Sequence, residues 1–118
     1  MICTSIEQSK HLLELGLDPK AADMCWEMEK GNLLLNVGRK SAQVNRGFAI
    51  PAWSLSALLE MIPKPDLYRE TADLWVCVTF FKEGSIRGFG ETAIDAACDT
   101  ITKMFGRGYL KKKGDNNE

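Results

Sequence analysis

The chain has 118 residues, 45% of them hydrophobic and 26% charged, with 15 Lys and Arg against 16 Asp and Glu. This is the composition of one globular domain, large enough to bury a core without disulfide or metal staples. The near balance of charge argues against a general electrostatic binder of nucleic acid, which needs a marked basic excess, but not against a local basic patch.

No apolar run approaches the ~18 residues that a membrane span needs, and Met1-Ile2-Cys3-Thr4 does not open a secretory leader. Cys3, Cys25, Cys77 and Cys98 are widely spaced and form no C-x-x-C pair. Reduced core thiols in a cytoplasmic protein are therefore expected.

Taken in order, Thr4-Ser5-Ile6-Glu7 reads as a capping box that starts a helix over residues 5–15, ended by Gly16. Asp18-Pro19 suits a second helix start, continuing through Ala21, Met24, Cys25 and Met28 to about Glu29. Gly31-Asn32 breaks that helix. Leu33 to Val37 is a short strand, Gly38-Arg39-Lys40-Ser41 a hairpin tip, and Ala42 to Ile50 its return. Between Pro51 and Pro63, Leu55, Leu58, Leu59 and Ile62 share one helix face, with Trp53 at the entrance. Lys64 to Asp73 is polar and reads as a connector, with a possible strand start near Tyr68.

Leu74 to Phe81 is the clearest strand: β-branched and aromatic, without Gly or Pro. Alternation puts Leu74, Val76, Val78 and Phe80 on one face and Trp75, Cys77, Thr79 and Phe81 on the other. Neither face is polar, so both need cover, from helices or from a second subunit. A turn at Lys82-Glu83-Gly84-Ser85 leads to a shorter strand, Ile86 to Phe89, which Gly88 and Gly90 weaken, so that an edge position or a bulge is expected. Thr92 caps a last helix of about 14 residues whose stripe is Ile94, Ala97, Cys98, Ile101, Met104 and Phe105. Residues 1–110 thus form one α+β domain of order α-α-β-β-α-β-β-α. It contains a small antiparallel sheet of about four strands, and residues 111–118 form a flexible charged tail.

Chemistry is sparsely supplied. His11 is the sole histidine and falls on a polar helix face, which disfavours a histidine-based metal site or a nucleophile–histidine pair. Asp23 and Glu27, four apart, read as a solvated helix face. Gly88-Phe89-Gly90 before a helix start suggests an anion site, but a full glycine fingerprint and a P-loop lysine are missing, and Thr92 and Asp95 already act as caps. No cofactor and no catalytic residue is assigned. Trp53, Trp75, Cys77, Phe81 and Phe89 are the candidate apolar interface. Arg39, Lys40 and Arg46, with Lys111, Lys112 and Lys113, are the candidate contacts to nucleic-acid phosphates.

Three passages carry a resemblance: Thr4-Ser5-Ile6-Glu7-Gln8-Ser9-Lys10 with Leu12 to Leu17, Ile50 to Leu59, and Glu91-Thr92-Ala93-Ile94-Asp95-Ala96-Ala97. In that order they resemble short uncharacterised proteins encoded in bacterial prophages and mobile elements. The resemblance implies a bacterial cytosolic setting and a mobile-element origin, and it carries over no catalytic residue. The expected function is a non-enzymatic interaction or accessory module, with a homo-oligomer, a dimer first, as the expected partner arrangement. A nucleic-acid accessory protein and a small ligand or anion binder are the alternatives.

Overall fold

The structure is a computed structural model that describes residues 2–29, 32–37 and 49–110. Helix α1 spans Ile6–Leu15 and closes on Gly16. Thr4 with Glu7 and Ser5 with Gln8 both fit a capping box, and it is the second that forms. Ser5 Oγ accepts from the Gln8 N–H at 3.0 Å, and Gln8 Oε1 accepts from the Ser5 N–H at 2.9 Å. Thr4 is drawn into the core instead. Its hydroxyl accepts from the Trp53 N–H at 3.0 Å and sits 2.8 Å from Ser9 Oγ, while its own N–H donates to the Trp53 carbonyl at 2.9 Å.

The helix expected from Asp18 to Glu29 shrinks to a 3₁₀ turn, Pro19–Ala21, capped by Asp18. Met24–Glu29 is strand β1 instead. It is the middle strand of a sheet ordered β2-β1-β3, with β2 at Asn32–Val37 and β3 at Ala49–Ala52. Ladder partners on both sides outweigh the modest helix propensity of Met and Glu. The pairing also corrects the expected hairpin. β2 pairs with β1, joining Met24 to Val37, and β3 pairs with β1 as well, joining Cys25 to Pro51. Gly31, expected to break a helix, lies outside the described residues. The expected tip at Gly38 to Ser41 lies outside the described residues. Pro51 lies in β3 rather than bracketing a helix, and an edge strand tolerates it.

Helix α2, Leu55–Glu60, starts at Ser54, whose Oγ accepts from the Ala57 N–H at 3.2 Å. Asp23, read as a solvated helix residue, fixes that cap: its carboxylate accepts from both the N–H and the hydroxyl of Ser54. The expected connector then proves to be strand β4, Asp66–Thr71. Its polarity marks an exposed edge rather than a loop, and a bulge between Arg69 and Thr71 disturbs its pairing. β5 spans Leu74–Phe81 and β6 Gly84–Gly90, giving a second antiparallel sheet ordered β4-β5-β6. The fold is α+β, and the described residues form two three-stranded sheets where a single sheet of about four strands is expected.

Helix α3, Ala93–Gly106, buries Ile94, Ala97, Cys98, Ile101 and Met104 as its stripe predicts. It also buries Ala96 and Thr100, which face the sheet. The glycines of β6 explain how closely it packs. A Cβ on Gly88 would lie 2.2 Å from Thr100 Oγ1 and 2.5 Å from the Ala96 carbonyl oxygen, and one on Gly90 would lie 2.4 Å from Asp95 Cβ. Thr100 Oγ1 donates to the Cys77 carbonyl at 2.8 Å, across the sheet from Gly88. α1 and α2 pack against α3 and share its core. All three helices therefore lie on one side of the β4-β5-β6 sheet. The shortest extent of the molecule is 19 Å, the thickness of a sheet and one helix layer.

Replacing Gly88 with Ala forces the helix off the sheet and should cost about 3 kcal/mol or more in urea unfolding. Gly84→Ala has open space around the new methyl, though Gly84 holds φ +147°, and should cost only about 1 kcal/mol. Equal losses at the two sites would contradict close packing as the role of Gly88.

Candidate functional site

Four of the five apolar interface candidates face inward. Trp53 is fully buried, and its indole Nε1 has no hydrogen-bond partner among the described residues. Cys77 is also fully buried, its strand held beneath α3 by the Thr100 bond. Trp75 and Phe81 pack against the core, with the Arg69 guanidinium 5.9 Å from the Trp75 ring centroid. Phe81 stacks on Tyr109 with ring centroids 3.9 Å apart. This is one of the two β5 faces expected to need cover, and the chain's own helix and C-terminal turn supply it. Of the five candidates, Phe89 alone points the other way.

Among the described residues, no helix packs on the opposite face of the sheet. Register places Tyr68, Val76 and Phe89 in one row across the three strands, Asp66, Val78 and Arg87 in the next, and Phe80 beside Ser85 beyond that. Tyr68 is 42% exposed, Phe89 45% and Phe80 61%. Val76 and Val78 on the same face are buried. Three large exposed rings share this sheet face, with Phe80 two rows from Tyr68 and Phe89 and the charged Asp66 and Arg87 in the row between. The sequence held the signal in the alternation of β5, but Tyr68 was hidden in a segment read as a connector.

The edges of this sheet are differently treated. Along β6, the Phe89 N–H donates to Asp99 Oδ2 at 2.9 Å, Lys103 Nζ donates to the Arg87 carbonyl at 2.8 Å, and Arg107 Nη1 donates to the Ser85 carbonyl at 3.3 Å. Helix positions four apart rise about 6 Å and strand positions two apart about 6.6 Å, so α3 keeps step with the strand. Asp99 and Lys103 also pair at 3.1 Å. The β6 edge is thus closed to strand addition by side chains, while β4 carries a bulge and exposed Arg69 and Glu70.

The remaining chemical candidates disperse. His11 is exposed on α1. Among the described residues, no group of three or more His, Cys, Asp or Glu is placed to hold a metal ion. The Gly88–Thr92 stretch offers no open anion cradle, because α3 fills the space over both glycines and Thr92 Oγ1 accepts from the Asp95 N–H at 3.1 Å. Asp95 Oδ1 in turn accepts from Gln8 Nε2 at 2.6 Å, tying α1 to α3. Arg39, Lys40, Arg46, Lys111, Lys112 and Lys113 lie outside the described residues. No described helix is long and apolar enough to cross a membrane.

All four cysteines are buried. Burial, reinforced by Asp95 and Asp99, pushes the Cys98 thiol up to about 12. Burial and then Asp23 raise Cys3, and burial raises Cys77 against an opposing hydrogen bond with Thr100. These are protonated, poorly nucleophilic thiols. Compared with family models, curated proteins and solved structures, the chain has no significant match in any of the three.

The thiols give a pH prediction. From the ordinary value of 9.0 up to about 12, unfolded Cys98 gives up a proton that the folded chain retains. Stability is therefore whole below the lower value and falls as pH rises through this window. The urea midpoint should drop between pH ~8 and pH ~11, and less steeply in Cys98→Ala. An identical slope in that variant would contradict the assignment.

Proposed function

We propose that the chain is a non-enzymatic protein–protein interaction module that works as a homo-oligomer, with the open face of the β4-β5-β6 sheet as its contact surface. The observation that carries this reading is that Tyr68, Phe80 and Phe89, all exposed, share the face of the β4-β5-β6 sheet opposite α3. Support also comes from the other surfaces: the thiols are buried and the glycine-rich helix start is filled. A cytoplasmic, mobile-element setting belongs to the same proposal and rests on the resemblance of the three sequence passages.

The size of the face sets the strength of the contact. Three strands about 4.8 Å apart and about seven residues long present a flat area of roughly 300 Å². That is well under the roughly 800 Å² per partner of a standard stable interface. The association is accordingly weak and reversible, with a dissociation constant in the micromolar range or above.

Light scattering between about 1 μM and about 1 mM should show the average mass rise from 13.2 kDa toward twice that value. Phe80→Lys should hold the protein at the monomer mass with little change in melting temperature, because the ring is exposed in the free chain. A wild-type monomer at every concentration would overturn the homo-oligomer reading.

A further inference from the structure

We infer that the second copy sits on the open face about a two-fold axis running along β5, so that Asp66 of each chain meets Arg87 of the other. The inference rests on the homo-oligomer reading above and adds the arrangement and the residues that select it.

The starting point is the distribution of charge across one row. Asp66, Val78 and Arg87 are in register on β4, β5 and β6. Both charged residues are exposed, and both share the face that carries the three rings. One margin of the face is thus acidic and the other basic, with apolar side chains between them.

A closed pair of identical chains needs a two-fold axis, and the face distinguishes among the choices. An axis parallel to β5 exchanges left and right margins but keeps each row at its own height. It sets β4 of one copy over β6 of the other. Asp66 then faces the partner's Arg87 twice, Tyr68 faces the partner's Phe89 twice, and Phe80, the exposed side chain of β5 on this face, meets its own copy. An axis perpendicular to the strands, passing between the two rows, lays Asp66 over the partner's Tyr68 and Arg87 over the partner's Phe89. That buries four charges against rings without partners, which is unfavourable. An axis normal to the sheet joins edges instead. The β6 edge is occupied by Asp99, Lys103 and Arg107, and the β4 edge is bulged.

Stacked sheets cross at about −30°, so the axis lies about 15° from β5 and the facing outer strands shift by only about 2 to 3 Å. The length of the Arg87 side chain absorbs that offset. The charged pairs lie at the margins, where they set orientation and partner choice more than strength. The aromatic pairs supply contact area.

Charge reversal tests the arrangement, with the self-association constant read by sedimentation equilibrium and folding checked by circular dichroism. Asp66→Arg alone and Arg87→Asp alone should each weaken association about tenfold or more, because every opposed pair becomes a like-charged one. The double variant Asp66→Arg with Arg87→Asp should recover to within about threefold of the wild type. If the wild type self-associates and the single reversals change nothing, or the double variant fails to recover, the strand-parallel axis is overturned while the homo-oligomer reading stands. If the wild type does not self-associate at all, both fall together.

Discussion

The hydrogen bond from Thr100 Oγ1 to the Cys77 carbonyl, 2.8 Å long, is possible only because Gly88 has no side chain. It fixes α3 against the centre of the β4-β5-β6 sheet at a separation that any larger residue at position 88 would prevent. Ala96 and Gly90 extend the same close approach toward the helix start. Further along, Asp99, Lys103 and Arg107 reach the free edge of β6. One helix therefore covers one face of this sheet and seals one of its edges.

The other elements take their places from that contact. α1 is tied to the start of α3 through Gln8 and Asp95, and α2 is held by the bonds from Ser54 to Asp23. Thr4 and Trp53 join the N-terminal segment to the residue that follows β3. With every helix on one side, the side chains of β5 divide into two populations. Trp75, Cys77 and Phe81 belong to the core, whereas on the other face Phe80 stands in solvent and Val76 and Val78 are buried. The exposed rings of that face are the feature on which the proposed contact rests.

The second half of the chain was largely legible because its signals are local and agree with one another. The strand Leu74–Phe81, the glycine turn and the Thr92 cap each point to the same structure. The first half was not, because its outcome depends on distant partners. Thr4 looks like a cap but bonds with Trp53, Asp23 looks like a surface acid but holds Ser54, and Met24–Glu29 looks helical but pairs on both sides. The open surface was half legible. Alternation separated the two faces of β5, but only the packing of α3 on Gly88 decides which of them is covered. For β4 the polarity of Lys64 to Asp73 favours a connector, and only the strand start expected near Tyr68 points to the edge strand that forms.

The sheet face bearing Tyr68, Phe80 and Phe89 is the proposed meeting place of the chain and its partner. Hydroxyl-radical footprinting at low and high protein concentration addresses it side chain by side chain. All three rings should be oxidised in dilute solution and protected together as the mass doubles, while Tyr109, exposed on the helix side, should stay equally reactive. Oxidation of the three rings that does not change while the mass doubles would contradict the account.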